Sequence, residues 1–312
     1  MTNQELDPGT DGADVVASER RHLLDVAYRL LGSLAEAEDA VQEGFARWFS
    51  LAPEQRTAIE NPAAWLTTVV SRICLDQLRS ARAKRERYVG EWIPEPLPPT
   101  GADEGPRIAH EPDPADRVTL DESVNMALLV VLEAMTPAER VAFILHDVFR
   151  YPFAAIAEVV GRTPEACRQL ASSARRRIDV ASGLRAPSAD QARLVAEFRR
   201  AWEARDVRAL VGLLDPEATV VADGGGLVAA ARRPITGADR IGRYLATLAD
   251  KGTELGMRVE ETTVNGRPGL VGRHGDQTVV VLAFGIEGGR IRNLWAVVNP
   301  EKLHRWNATA PG

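Results

Sequence analysis

"IAEVVGRTPEACRQLASSARRRI" (156–178) decides how the first two thirds of this chain are read. An apolar helix stops at Gly161 and restarts within three residues as a helix rich in arginine. Phe153, Ile156 and Val160 line the first helix, with small Ala157 where two helices must approach closely. Gly161 follows Ala157 by four residues, where a turn needs a residue tolerant of positive φ. Thr163 is placed to cap the second helix, Pro164 suits its first position and Glu165 its first turn. Cys167, Leu170, Ala171, Ala174 and Ile178 form the inward stripe of that second helix. Arg168, Gln169, Ser172, Arg175 and Arg176 are left facing outward. The pattern is a helix-turn-helix whose outer face suits DNA: arginine can bond guanine bidentately, glutamine can bond adenine, and serine or arginine can hold phosphates.

Outward from this stretch, charge is strongly segregated. The chain has 312 residues and a net charge of −6. Residues 71–87 nevertheless carry six Lys/Arg against two Asp/Glu, and residues 161–178 carry five against one. Residues 89–122 carry nine acidic residues against two basic ones. Two basic islands joined by an acidic bridge predict two separate contacts with an anionic polymer. The length predicts two or three domains, and a 45% hydrophobic content suffices for their cores. Residues 1–18 show no signal-peptide pattern, and the longest uncharged apolar run, "TVVVLAFGI" (278–286), is too short for a membrane helix. Cys74 and Cys167 fall at apolar helical positions and read as buried small hydrophobes. The five histidines are scattered, so no metal site and no cofactor is expected, and the location expected is cytoplasmic.

A helical block is expected from about residue 18 to 88, after a disordered 1–17. In "AEAEDAVQEGFARWF" (35–49), Val41, Phe45 and Trp48 form an apolar stripe opposite Glu36, Asp39 and Glu43. The partner expected for that acidic face is a basic protein surface or water. In residues 61–87, Leu66, Val69, Val70, Ile73, Cys74 and Leu78 turn inward, while Trp65, Thr68, Arg72, Asp76 and Arg79 line the other face. An aromatic and a hydroxyl leading into arginines is a surface for unstacked bases and phosphates. "EWIPEPLPPTGADEGPRIAHEPDPADRV" (91–118) holds seven prolines and no apolar period, and reads as an extended acidic linker spanning roughly 100 Å at most. A second helical block runs from about residue 119 to 183. Beyond 188 the texture turns to one helix pair and then β-branched runs such as "QTVVVLAF" (277–284) and "RIRNLWAVV" (290–298), which predict an α+β domain.

Three segments taken in order resemble an extracytoplasmic-function sigma factor of bacterial RNA polymerase: "AEDAVQEGFARWF" (37–49), "NPAAWLTTVVSRICLDQLRS" (61–80) and "AMTPAERVAFILHDVFRYPFAAIAEVVGRTPEACRQLASSARRRI" (134–178). The resemblance implies two all-α sigma domains, region 2 at 18–88 and region 4 at 119–183, on either side of the linker at 89–118. It implies that Glu38, Asp39, Gln42 and Glu43 dock on the β′ coiled coil of core RNA polymerase, with the β subunit also a partner. Trp65, Thr68, Arg72, Asp76, Arg79 and Arg82 would capture the melted −10 element of promoter DNA. Thr163, Glu165, Arg168, Gln169, Ser172, Arg175 and Arg176 would read the −35 element as duplex. Arg72 stands where most members carry Asn.

Residues 188–306, including "RRPITGADRIGRYL" (232–245), resemble a SnoaL-like domain of the cone-shaped, nuclear-transport-factor-like fold, an extension carried by the SigJ-type subset of these factors. "YVGEWIPEPLP" (88–98), "DGGG" (223–226) and "NPEKL" (299–303) belong to that pattern. The extension is expected to regulate the factor through an interface of Tyr88, Val89 and Trp92 with Asp223, Gly224, Gly225, Gly226, Asn299, Pro300 and Lys302. Two rivals are weighed against this non-enzymatic reading. One is a ligand-sensing helix-turn-helix regulator independent of polymerase, with a small apolar molecule in the cone. The other is an isomerase or cyclase using Asp215, Asp223 or His274 as general base. Promoter sequence, inducing signal and the existence of a separate anti-sigma protein are not encoded in any motif.

Overall fold

The computed structural model describes residues 10–85, 88–99, 125–180 and 188–308. They divide into two compact units: residues 10–81 with 135–175, and the remainder.

The first unit is all helical. Helix α1 (Thr10–Leu31) begins eight residues before the expected start, inside the stretch read as disordered. Extending a helix already nucleated costs far less than starting one, so a polar leader can continue an amphipathic helix backwards. Helices α2 (Leu34–Ser50), α3 (Pro53–Thr57) and α4 (Pro62–Arg85) follow. Ser33 caps α2 by accepting from the Glu36 amide. A Cβ at Gly44 would lie 2.6 Å from Val70 Cγ2, so only glycine lets α2 and α4 approach this closely. Leu23, Val26, Leu30, Leu66, Val70 and Cys74 are buried.

After α5 (Met126–Glu133), which belongs to the second unit, come α6 (Pro137–Phe143), a π-turn (Ile144–Val148), α7 (Phe153–Val160) and α8 (Pro164–Val180). Helices α7 and α8 are the helix-turn-helix. Gly161 ends α7 at φ 71°, the left-handed conformation its position required. Cys167, Ala171 and Ala174 are buried as the inward stripe predicts. On α7, Ile156 and Val160 are buried as expected, whereas Phe153, expected in the same lining, is half-buried against the His146 ring, at 3.9 Å between centroids.

The second unit is α+β. Helices α9 (Ser188–Glu203) and α10 (Val207–Leu213) lead into β1 (Leu214–Asp223). Then come β2 (Ile235–Thr236), α11 (Ala238–Glu254), β3 (Met257–Val264), β4 (Arg267–His274), β5 (Gln277–Glu287) and β6 (Arg290–Val297). A 3₁₀ turn (Pro300–Lys302) and α12 (His304–Ala308) close the described chain. The sheet order is β2-β1-β6-β5-β4-β3, with β1 and β6 parallel and the other pairs antiparallel. Asn265 and Gly266, both at positive φ, form the tight turn between β3 and β4.

One sheet face is covered by α9 and α11, which bury Phe198, Trp202, Ile241 and Leu245 against Leu270, Leu282 and Phe284. The other face is covered by chain from outside the sheet: Ile93, Met126, Leu303 and Trp306 pack on Val264, Val271, Val281, Ala283, Trp295 and Val297. Burial on both faces explains why β5 reads as an unbroken apolar run. Among the described residues no helix is long and apolar enough to cross a membrane, and no cluster of His, Cys, Asp or Glu has metal-ligand geometry.

Candidate functional site: nucleic-acid faces and a buried carboxylate

The acidic face of α2 is solvent-facing. Asp39, Gln42 and Glu43 are exposed, Glu38 is half-buried, and Glu43 bonds Arg47 one turn on at 2.5 Å. On α4, Trp65 does not stand free, since its ring leans on Trp48 with centroids 5.3 Å apart. Thr68 Oγ1 returns its hydrogen to the Ala64 carbonyl, and Asp76 pairs with Arg79 at 3.0 Å. Arg82 lies in α4, its side chain outside the described residues.

Arg72 crosses to the helix-turn-helix. Its Nη2 and Nε donate to the Glu158 carbonyl at 2.8 and 3.3 Å, near the end of α7. Three further contacts join the same blocks. The Arg140 Nη1 donates to the Leu30 carbonyl at the C-terminus of α1, and burial lowers the Arg140 pKa to about 9. Arg29 lies over the Phe149 ring at 5.4 Å. Tyr151 donates to Thr67 Oγ1 at 3.0 Å, Thr67 donates to the Ala63 carbonyl, and His22 Nε2 meets the Tyr151 oxygen at 3.0 Å. A neutral His22 with its proton on Nε2 completes that chain without conflict. Sequence reasoning missed it because no period relates residues 22, 67 and 151.

On α8, Thr163 Oγ1 accepts from the Ala166 amide and caps the helix. Glu165, Arg168, Gln169, Arg175 and Arg176 are exposed, and Ser172 is half-buried. Arg168 bonds Glu165 at 3.1 Å and sits over Phe153 at 5.2 Å. Arg175 reaches back to Asp147.

The second unit has its own focus. Asp223, at the end of β1, is fully buried. Its Oδ1 accepts from the Tyr88 hydroxyl at 2.6 Å and the Gly225 amide at 3.0 Å. Its Oδ2 accepts from the Ile93 amide at 2.9 Å and Lys302 Nζ at 2.7 Å. Lys302 also donates to the Ile93 carbonyl, and its ammonium lies 4.0 Å from the Trp92 ring centre. Burial, together with the Asp223 hydrogen bond, pushes the Tyr88 hydroxyl above the usual tyrosine range. Asn299 donates to Tyr88 and caps the turn opened by Pro300. Gly225 and Gly226 lie at φ 63° and 74°; a Cβ on them would meet Asn299 at 2.4 Å and Val89 at 2.9 Å. A Cβ on Gly224 would lie 2.3 Å from the Val228 carbonyl. The structure thus brings Tyr88, Val89, Trp92, Asp223–Gly226, Asn299 and Lys302 into one cluster. Beside it, Trp306 donates to the Pro96 carbonyl at 2.8 Å, and Asn265 and Leu97 exchange two bonds. Those last residues went unpredicted, although the "NG" turn at 265–266 was a visible signal.

The residues weighed for an enzymatic base are each engaged separately. Asp215 accepts from the Glu217 amide and pairs with Arg292, which together hold its carboxyl below the usual range. His274 Nδ1 meets the Leu255 carbonyl. Asp223 is committed to the donors above.

Comparison with known proteins fits this geometry. Residues 15–84 match the model of sigma-70 region 2, and residues 125–178 match that of sigma-70 region 4. The extracytoplasmic-function sigma factor SigJ of Mycobacterium tuberculosis is 40% identical over 91% of this chain and 90% of its own length. The probable sigma factor SigI of the same species is 34% identical over 95% and 96%. The crystal structure of M. tuberculosis SigJ superposes with a TM-score of 0.71 at 36% identity, covering 94% of this chain and 98% of that one. The chain belongs to the extracytoplasmic-function sigma factors: it directs transcription initiation with core RNA polymerase on promoter DNA, and carries an α+β domain with a mixed sheet after its two helical sigma regions.

Two predictions follow from the geometry. Burial lowers the His22 pKa from its ordinary value, against the opposing pull of Glu19 and with that of Arg29. Between that lowered value and about 6.5 the unfolded chain binds a proton the folded chain refuses. Stability is therefore full above pH ~6.5 and falls as pH drops through the window. His22→Gln flattens that part of a thermal-midpoint profile. Lys302→Met strands the Asp223 carboxylate and destabilises the second unit by roughly 3–5 kcal/mol. Adding Asp223→Asn recovers part of the loss in chemical denaturation followed by tryptophan fluorescence.

Proposed function

We propose that the factor divides its work among four surfaces and that its own C-terminal domain governs one of them. The acidic face at Glu38, Asp39, Gln42 and Glu43 docks on the basic coiled coil of the β′ subunit. The α4 face at Trp65, Thr68, Arg72, Asp76, Arg79 and Arg82 takes the opened −10 strand. The outer face of α8 takes the −35 duplex. The acidic connector occupies the basic channel that nascent RNA later uses; Asp103, Glu104, Glu111 and Asp113 of that connector lie outside the described residues.

The observation carrying the regulatory part is that the start of the connector and the helix that follows it in the chain, α5, are both fastened to one face of the C-terminal sheet. Residues 88–99 are held through Asp223, Asn265 and Trp306, and α5 packs Met126, Ala127 and Val130 on the same apolar cluster. A connector so fastened is withheld from the polymerase channel until those bonds yield. The extension therefore acts by gripping chain, and its buried carboxylate serves the grip in place of chemistry. The aromatic and aliphatic packing of Phe198, Trp202, Leu282 and Phe284 supports that reading over a ligand-filled cone.

Run-off transcription with and without added core polymerase tests the assignment: promoter-specific RNA appears only with core, whereas tight operator binding by the free protein with no effect of core would favour the stand-alone regulator. Trp92→Ala removes the face over which Lys302 sits. It raises protease cleavage within 88–99 and changes promoter output; if both stay at wild-type levels, the grip has no regulatory role.

A further inference from the structure

The outward arginines of α8 are not equivalent. Arg168 is steadied only from nearby, by Glu165 three residues before it and by the Phe153 ring. Arg175 is held by a residue 28 positions away. Asp147 Oδ1 accepts from Arg175 Nε at 2.6 Å, and Oδ2 accepts from Nη2 at 3.3 Å. The carboxylate side chain is 21% exposed and the arginine 43%, so the pair sits at the rim of the fold with its outer side in water.

The platform under Asp147 is itself well defined. It lies in the π-turn Ile144–Val148, between buried Leu145 and Val148. The turn closes with the Tyr151 amide on the Leu145 carbonyl at 2.8 Å and His146 Nδ1 at the Tyr151 carbonyl at 3.0 Å. Helix α8 is fixed against the same block by Ser173, which donates to buried Glu139 at 2.8 Å. The backbones that carry Asp147 and Arg175 are therefore both anchored in packed structure.

A guanidinium has two paired donor edges. When a carboxylate takes the Nε–Nη2 edge, the Nη1–Nη2 edge is left pointing away, already oriented and stripped of most rotamer freedom. Such an edge matches a pair of acceptors: O6 and N7 of guanine, or two phosphate oxygens. We propose that Asp147 is a positioning residue for promoter recognition, holding Arg175 so that its free edge engages a paired acceptor on the −35 duplex. This rests on the reading of α8 as the −35 surface. It assigns a role in DNA selection to a residue of the π-turn, which touches no DNA itself.

The test uses full-length factor assembled with core polymerase. Its template is a promoter recovered by that holoenzyme from a library randomised over the −35 region, with a second copy whose −35 element is scrambled. The readout is the ratio of run-off RNA from the two templates. Asp147→Ala and Arg175→Ala each lower the ratio about tenfold. The double variant falls no further than Arg175→Ala alone, and Asp147→Glu restores most of the ratio. A single-base scan of the −35 element then separates the two acceptors: loss of preference at one base pair identifies guanine, and uniform weakening identifies phosphate. Arg175→Lys, which keeps the charge but lacks the fork, falls with Arg175→Ala and remains informative should Asp147→Ala fold poorly. The proposal is overturned if Asp147→Ala lowers only the thermal midpoint and leaves the ratio at wild type, or if its effect adds to that of Arg175→Ala. A wild-type factor indifferent to the scrambled element would instead refute the −35 reading itself.

Discussion

A carboxylate sealed from water must be matched donor for donor, and the second unit is arranged around that requirement. Asp223 is fully buried yet accepts from a hydroxyl, two amides and an ammonium. Leaving any of these oxygens bare would cost several times what a single hydrogen bond contributes. Two of the four donors, Tyr88 and the Ile93 amide, come from a proline-rich stretch with no helix or strand of its own. The constraint therefore works in both directions. The sheet cannot keep its carboxylate satisfied without the connector, and residues 88–99 of the connector take their fixed course from the sheet's carboxylate and its neighbours. A purely apolar patch would have bound the segment in many registers; a buried charge with four directional partners selects one.

The helical unit uses a different balance. There, polar contacts are spread: one guanidinium on a helix C-terminal carbonyl, one over an aromatic ring, one on the end of α7, and a relay through Thr67 and Tyr151. Each is worth roughly a kilocalorie, far less than a packed core. Such contacts hold regions 2 and 4 together in the isolated factor and remain breakable when a larger surface competes. Arg72 shows the consequence most directly. On a face expected to take single-stranded DNA, it places its Nε–Nη2 edge on a protein carbonyl, so that edge is not available to DNA while this contact lasts.

How much of this was legible in the sequence depends on the range over which the signal acts. The helix-turn-helix was readable because its determinants are local: Ala157, Gly161, Thr163 and Pro164 each satisfy a backbone requirement within four residues. Strands β5 and β6 were readable from β-branched runs. The "DGGG" stretch could be marked as a close-approach site, since glycine there has a steric reason visible without a partner. Trp306, Asn265 and the relay from His22 to Thr67 left no comparable trace, because each acts across a separation that no periodicity records. Asp215 shows a mixed case. Its bond to the Glu217 amide is the turn chemistry expected of Asp-Pro, yet it sits inside β1, where the register with β6 shifts between Leu214 and Thr219. Proline is tolerated in a strand at such an irregularity. Helix α1, starting at Thr10, overran its predicted start because propensity alone does not register that elongation is cheap once a packed helix exists.

The two units apply one physical rule to different ends. A charged group held by a partner loses rotamer freedom, and what that loss achieves depends on which side of the group is left open. Lys302 is closed on all sides by Asp223, the Ile93 carbonyl and the Trp92 ring, so its order is spent entirely on fastening the connector. Arg175 is closed on one edge only, so its order remains available to a ligand outside the fold. Fixing a donor before an encounter removes an entropic cost that would otherwise weaken binding, and it also restricts which acceptors fit. A chain that carries net negative charge and still binds a polyanion gains from such placement: a few correctly aimed cations discriminate where a diffuse positive surface would only attract.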